Sequence, residues 1–167
     1  MIRIRKATEQ DAAHIVEIKN EIARNTTFFL RSKDDEEERE EDYRRKIGER
    51  EKKGGLTIVA EEGGKVIGFL SFSRVPYVRF CHTGTFGMGV KRDSRGSGAG
   101  SSLLQYLIKW GIEEEGLEKI DLEVFSHNEK AIRLYQKFGF CEEGRQRKVM
   151  KIREEQYSDV IFMGLFV

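Results

Sequence analysis

The chain has 167 residues, enough for one ordinary domain with a sizeable core and no need of a disulfide or metal staple. Its 30 basic and 29 acidic side chains nearly cancel, and a net charge of +1 argues against a general binder of nucleic acid. The longest uncharged run, Gly96 to Ile108, falls far short of the roughly 20 apolar residues of a membrane span.

Met1 to Lys6 contains no apolar export signal, and Cys81 and Cys141 form no close motif, as expected of reduced thiols in a cytoplasmic protein. No repeat or linker divides the chain, and the one proline, Pro76, marks no boundary. A single domain over residues 1–167 is the expectation.

Ile2 and Ile4 alternate with Arg3 and Arg5, which predicts a short strand. Thr8 to Asp11 reads as a capping box, and Ile15, Ile18 and Ile22 carry a helix to about Arg24. Asp34 to Asp42 holds eight acids, and a basic run follows up to Lys53. As a helix this order matches the dipole, allows i,i+4 pairs at Glu40–Arg44, Glu41–Arg45 and Asp42–Lys46, and ends at Gly54-Gly55. Only Tyr43 and Ile47 in it look core-facing.

Strands are predicted at Leu56–Glu61, Lys65–Arg74 and Val78–Val90, with a turn at Glu62-Gly63-Gly64 between the first two. After a glycine-rich loop, Leu103, Leu104, Leu107, Ile108 and Ile112 mark an amphipathic helix stopping near Gly116. Ile120, Leu122 and Val124 alternate with Asp121 and Glu123 as another strand. Ser126 to Glu129 reads as a second capping box, ahead of an apolar stripe at Ala131, Leu134, Tyr135 and Phe138. Two long strands joined near Glu154-Glu155 complete the order βααβββαβαββ, a mixed α/β fold with a central sheet flanked by helices.

The loop Val90 to Ser101 is the most informative stretch. A strand enters it, a helix leaves it, and its small residues allow several N–H groups to converge at the helix N-terminus, where a phosphate can bind. Arg95 adds a charge able to pair with phosphate oxygens. A flexible glycine loop with a surface arginine is the alternative. The P-loop pattern, the dinucleotide G-x-G-x-x-G and the hydrolase elbow G-x-S-x-G are all absent.

What remains is R-x-x-G-x-G, as Arg95-Gly96-Ser97-Gly98-Ala99-Gly100. With it the sequence resembles the GNAT superfamily of acyl-CoA-dependent N-acetyltransferases. Asn128 to Phe140 is similar to that family's N-x-x-A-x-x-x-Y-x-K-x-G-F segment, and the tail from Glu143 through Met163 resembles a bacterial branch acting on amino acids, polyamines or protein N-termini.

The resemblance implies a mostly antiparallel twisted sheet with one splayed pair of strands, and acetyl-CoA as co-substrate. It implies that Met88 and Val90 offer backbone groups to the pantetheine arm and the acetyl carbonyl. Arg95, Gly96, Ser97, Gly98, Gly100 and Ser101 would hold the pyrophosphate, with Asn128 and Lys137 completing the cofactor contacts. Tyr135 matches the family tyrosine that protonates the departing thiolate. Each has a plainer reading: Met88, Val90 and Tyr135 as core residues, Asn128 as a helix start.

Many relatives carry a carboxylate at the position of Thr85, so the general base is open between His82, expected on the same strand, and a chain of waters. His14, His82 and His127 lack metal-ligand spacing, so no metal is expected. The basic stretch Arg145 to Arg153 reads as a solvated strand face rather than a nucleic-acid site. The expectation is acetyl transfer from acetyl-CoA to a primary amine by direct attack in a ternary complex. The acceptor is a small-molecule amine or the N-terminal amine of a protein or peptide. The rival reading is a catalytically inactive acyl-CoA-binding regulator. Family members often dimerise, so a homodimer is compatible with the resemblance, although no interface patch stands out.

Overall fold

A computed structural model describes all residues, Met1–Val167. One seven-stranded sheet runs through it in the order β1-β2-β3-β4-β5-β7-β6. The strands are β1 (Ile2–Lys6), β2 (Leu56–Glu62), β3 (Lys65–Arg74), β4 (Thr83–Val90), β5 (Lys119–Phe125), β6 (Cys141–Arg153) and β7 (Gln156–Phe166). Every neighbouring pair is antiparallel except β4–β5.

Helices α1 (Ala12–Asn25) and α2 (Glu40–Lys52) cover one face, α3 (Ala99–Glu113) and α4 (Glu129–Lys137) the other. The period-2 alternation of the strands feeds both layers. Ile58, Leu70 and Phe72 join Leu103, Leu104 and Leu107 of α3 in the larger core. Val59, Val66 and Phe69 join Ile15, Ile18 and Ile22 of α1, with Tyr43 and Ile47 of α2, in the smaller one. Leu103, Leu104 and Leu107 have no exposed surface, so truncating any of them to Ala costs about 2–5 kcal/mol.

Two expected elements start later than their patterns suggest. The strand expected from Val78 begins at Thr83, because Pro76 brings no N–H to a ladder and Tyr77 to Phe80 close turns instead. Phe80 N–H donates to the Tyr77 carbonyl at 2.8 Å and Thr83 N–H to the Phe80 carbonyl at 2.9 Å. The acidic helix begins at Glu40, not Asp34, with Arg39 still extended at φ −89°, ψ 143°. Glu38 is buried between two lysines and holds the chain out of helix there.

Of the three i,i+4 pairs expected on α2, only Glu40–Arg44 forms. Arg45 turns to Asp42 at 3.3 Å and Lys46 to Glu38 at 2.6 Å. The basic residues of β6 form local ion pairs on an exposed strand, Arg145 with Asp159 at 3.2 Å and Lys151 with Glu154 at 2.9 Å. No helix is long and apolar enough to cross a membrane.

Candidate functional site

The site begins where the sheet opens. β4 and β5 pair only at Thr83–Lys119, Gly84–Ile120 and Thr85–Asp121. Past these, Phe86 to Val90 and Leu122 to Phe125 separate, giving the splayed pair. Lys91 N–H donates to the Ile67 carbonyl of β3 at 2.8 Å. Strand alternation therefore turns the main-chain groups of Val90 and Met88 the other way, into the gap that β5 has left. Arg95 Nε reaches the Val90 carbonyl from that side at 3.5 Å.

The loop after β4 makes a short turn at Arg92–Ser94 and passes through Gly96 (φ +83°) and Gly98 (φ +94°), a region that L side chains rarely adopt. Gly98 is the N-cap of α3 and brings no side chain to it. The first regular helical bond runs from Ser102 N–H to the Gly98 carbonyl at 3.0 Å, and Ser97 Oγ accepts from Ala99 N–H at 3.4 Å. The N–H groups of Gly100 and Ser101 have no protein partner and lie at the positive end of the helix dipole. A Cβ on Gly100 would sit 3.3 Å from Met88 Cε and 3.4 Å from Leu134 Cδ2. The loop, β4 and α4 thus converge.

A cavity of about 510 Å³ runs through the gap from one face of the sheet to the other. Phe86, Met88, Val124, Asn128 and Tyr135 line it on the α3–α4 side. Tyr135 stands edge-on to Phe86 at 5.8 Å and to Phe140 at 6.1 Å. Its ring is therefore packed as a core aromatic while the residue also borders the cavity, so the two readings of its position coexist. Burial pushes its phenol up to about 12. Asn128 Oδ1 accepts from Ala131 N–H at 3.4 Å and caps α4. The cap expected at Ser126 does not form, because Ser126 Oγ is engaged by Ser158 Oγ at 3.0 Å and by Asp159 N–H at 3.0 Å.

The other side of the cavity is walled by Phe28 to Arg31 and by Lys19, Glu38 and Lys46. Glu38 receives both lysines, Lys46 at 2.6 Å and Lys19 as a close ion pair. Burial pulls the Glu38 carboxyl upward, but the lysine hydrogen bonds outweigh it and hold it below its ordinary value. Burial also lowers Lys19, against the pull of Glu38.

Three residues weighed in the sequence, His82 as a base, Thr85 as the position of the missing carboxylate and Lys137 as a cofactor contact, stand away from the cavity. His82 is not on β4: it lies in the turn before it, where its carbonyl accepts from Glu118 N–H at 2.8 Å and Lys119 N–H at 3.2 Å. From there to Met88 is about 20 Å along the strand, so His82 is no candidate base. Thr85 is exposed and does not border the cavity. Lys137 ends α4 exposed, also away from the cavity.

The carboxylate the sequence reading missed is Glu123. Leu122 and Val124 pack into the α3 core, so Glu123 points to the opposite face, just past the last β4 pair, and borders the cavity. The alternation of β5 places it on that face. Only the fold shows that the face there is cavity rather than open surface. No group of three or more His, Cys, Asp or Glu side chains is arranged to hold a metal ion.

Comparison with known proteins adds to this geometry. The acetyltransferase (GNAT) family model matches residues 15–140. The L-amino acid N-acetyltransferase AaaT of Escherichia coli K12 is 30% identical over 114 residues, 68% of this chain and 70% of that protein. A GNAT-family acetyltransferase structure from Streptococcus pneumoniae covers both chains completely with a TM-score of 0.92 at 28% identity. The Salmonella typhimurium protein yncA, solved with its cofactor acetyl-CoA, gives a TM-score of 0.89 at 26% identity over 99% of this chain and 94% of that one.

Proposed function

This chain belongs to the acetyltransferase (GNAT) family, and from that premise we propose that it moves an acetyl group from acetyl-CoA to the primary amine of a small amino acid by direct attack in a ternary complex. The observation that carries this reading is the cavity through the splayed sheet, with Tyr135 on one side and Glu123 on the other. The residues present fit the co-substrate: bare amides at the start of α3 suit a diphosphate, and the main-chain groups of Met88 and the N–H of Val90, turned away from β3 into the gap, suit a pantetheine amide.

Acetyl-CoA supplies an acetyl group activated as a thioester. Gly96, Gly98, Gly100 and Ser101 offer N–H groups to its diphosphate, and Arg95 adds a positive charge. Ser97 lies in the same turn. The main-chain N–H groups of Met88 and Val90 face the gap and stabilise negative charge as it develops on the carbonyl oxygen. Asn128 keeps the start of α4 in place beside them. Lys137, exposed at the far end of α4, has no part in this scheme.

Glu123 accepts a proton from the acceptor ammonium and leaves a neutral amine. As the amine nitrogen bonds to the acetyl carbon and the carbon–sulfur bond breaks, the Tyr135 hydroxyl gives its proton to the departing sulfur, and the second proton shed by the nitrogen restores the Tyr135 hydroxyl. The phenol is suited to this because burial keeps it protonated throughout the physiological range.

The acceptor class follows from charge. Lys19, Lys46 and Arg31 against Glu38 and Glu123 leave the far wall with a net positive charge, which favours an amine that also bears a carboxylate and disfavours a polyamine. The E. coli relative, named for L-amino acids, supports the same choice.

The test is thiol release from acetyl-CoA in the presence of amino acids, polyamines and peptide N-termini. Release with free amino acids and little with polyamines is expected. Binding of acetyl-CoA with no release for any amine would replace this reading with that of a non-catalytic acyl-CoA-binding regulator.

A further inference from the structure

The acceptor side of the cavity is walled by an unusual piece of chain. Residues 26–39 connect α1 to α2 without regular helix or strand, a length at which loops are commonly functional. Most of their hydrogen bonds stay local: Thr26 Oγ1 donates to the Ile22 carbonyl at 2.8 Å, Ser32 N–H to Asp35 at 2.7 Å, and Glu38 N–H to Asn20 at 3.3 Å. The connection belongs by sequence and packing to the β1–β4 half of the molecule. It is bonded to the β5–β7 half through one side chain, His127.

The directions of these bonds can be assigned. His127 Nε2 lies 3.1 Å from the Thr27 carbonyl, which only accepts, so Nε2 carries the proton and donates. Thr27 Oγ1 lies 2.9 Å from the same nitrogen. In the neutral ring Nδ1 is then an acceptor and takes the Ser158 hydroxyl at 2.7 Å. Ser158, which is buried, accepts in turn from the Ser126 hydroxyl at 3.0 Å, and Ser126 from Asp159 N–H at 3.0 Å. In this arrangement the Ser158 hydrogen goes to the shorter contact, Nδ1, rather than to the Asp159 carbonyl at 3.4 Å. The imidazole is also held between two rings, Phe125 stacked at 6.1 Å and Phe28 tilted at 5.4 Å. Both of those phenylalanines border the cavity, whereas His127 does not.

We propose that His127 is a positioning residue, a clasp that draws the α1–α2 connection across the open end of the splayed sheet and so fixes the acceptor wall. It acts through Thr27 and Phe28 and touches no reacting atom. The inference rests on the acetyl-transfer reading for its kinetic arm alone.

Three variants separate the clasp from plain support of β7. His127→Ala removes it. His127→Gln can present an N–H near the place of Nε2 and keep the Thr27 bond. His127→Asn reaches only as far as Nδ1 and keeps the Ser158 bond. The expected result for His127→Ala is a rise in the acceptor KM of about 10-fold, the scale of one lost anchoring hydrogen bond, with the acetyl-CoA KM within about 2-fold of wild type. Gln is expected to restore most of the acceptor KM, and Asn little of it.

Rescue by Asn but not Gln would overturn the clasp, as would a loss confined to kcat. Amide hydrogen exchange supplies an arm free of activity: residues 26–39 should exchange faster in His127→Ala, and unchanged exchange there overturns the proposal. A wild-type protein that turns over no amine, with loop exchange still quickened by His127→Ala, would remove the acetyl-transfer reading and leave the clasp standing.

Discussion

Tyr135 shows what a single residue can carry in sequence and what it cannot. Its place in the Asn128–Phe140 segment made it a candidate acid, and the structure sets it at the cavity with its ring against Phe86 and Phe140. Glu123 was equally visible as the outward member of an alternating strand, but its role depends on β4 parting from β5 at Thr85, which no local pattern encodes. The two residues make opposite demands on pH. Tyr135→Phe should lower kcat by about 10- to 100-fold with no alkaline rescue, because the lost proton is the one delivered to the sulfur. Glu123→Gln should lower it by about 100-fold at neutral pH, with the deficit shrinking as the medium deprotonates the amine. A pH–rate profile of both variants checks this, and alkaline rescue of Tyr135→Phe would reverse the assignment. Tyr135 also bears on stability. Between pH 10 and about 12 the unfolded chain releases this proton while the folded chain retains it, so stability falls as pH rises through that window. Tyr135→Phe should flatten that part of a pH–denaturation curve.

Among the elements, those with a clean hydrophobic period were legible and those shaped by distant partners were not. The stripe of α3 and the alternation of β5 came directly from residue spacing, as did Thr8 and Asp11, whose reciprocal bonds open the turn before α1. The start of α2 could not, because Glu38 answers to Lys19 on another helix rather than to its acidic neighbours. The glycine loop lies between these cases. Its composition announced an anion site, but only the positive φ of Gly96 and Gly98 explains why the first amides of α3 are free of side-chain cover. A Cβ at Gly98 would meet no atom within 4 Å, but a β-branched residue would be strained there by about 1–2 kcal/mol, and relief of that strain would turn the loop and move those amides. Gly98→Val should therefore weaken coenzyme A binding by at least about 10-fold in a calorimetric titration, given that each 1.4 kcal/mol is tenfold. Unchanged affinity in a folded variant would move the diphosphate away from this loop.

For the molecule as a whole, the order of elements and the splayed strands were foreseen, whereas the insertion of β7 between β5 and β6 was not, since strand order within a sheet is set by long-range pairing. That order has a mechanical consequence. The β1–β4 and β5–β7 halves share only three ladder pairs in the sheet, with α3 packed beneath and the His127 contact above. A co-substrate lodged in the gap would touch both halves and bind only the folded chain. At 100 times its dissociation constant it should stabilise the fold by about 2.7 kcal/mol. For a 167-residue chain each kcal/mol is worth about 2–4 °C, so the melting temperature should rise by roughly 5–11 °C. Tyr135→Phe, which removes a proton donor and no binding contact, should keep the whole rise, while Gly98→Val, binding about 10-fold more weakly, should lose about half of it or more at the same concentration. A thermal melt of the three proteins with and without acetyl-CoA makes the comparison. If Tyr135→Phe forfeits the rise as fully as Gly98→Val does, the tyrosine holds the co-substrate rather than protonating the departing sulfur.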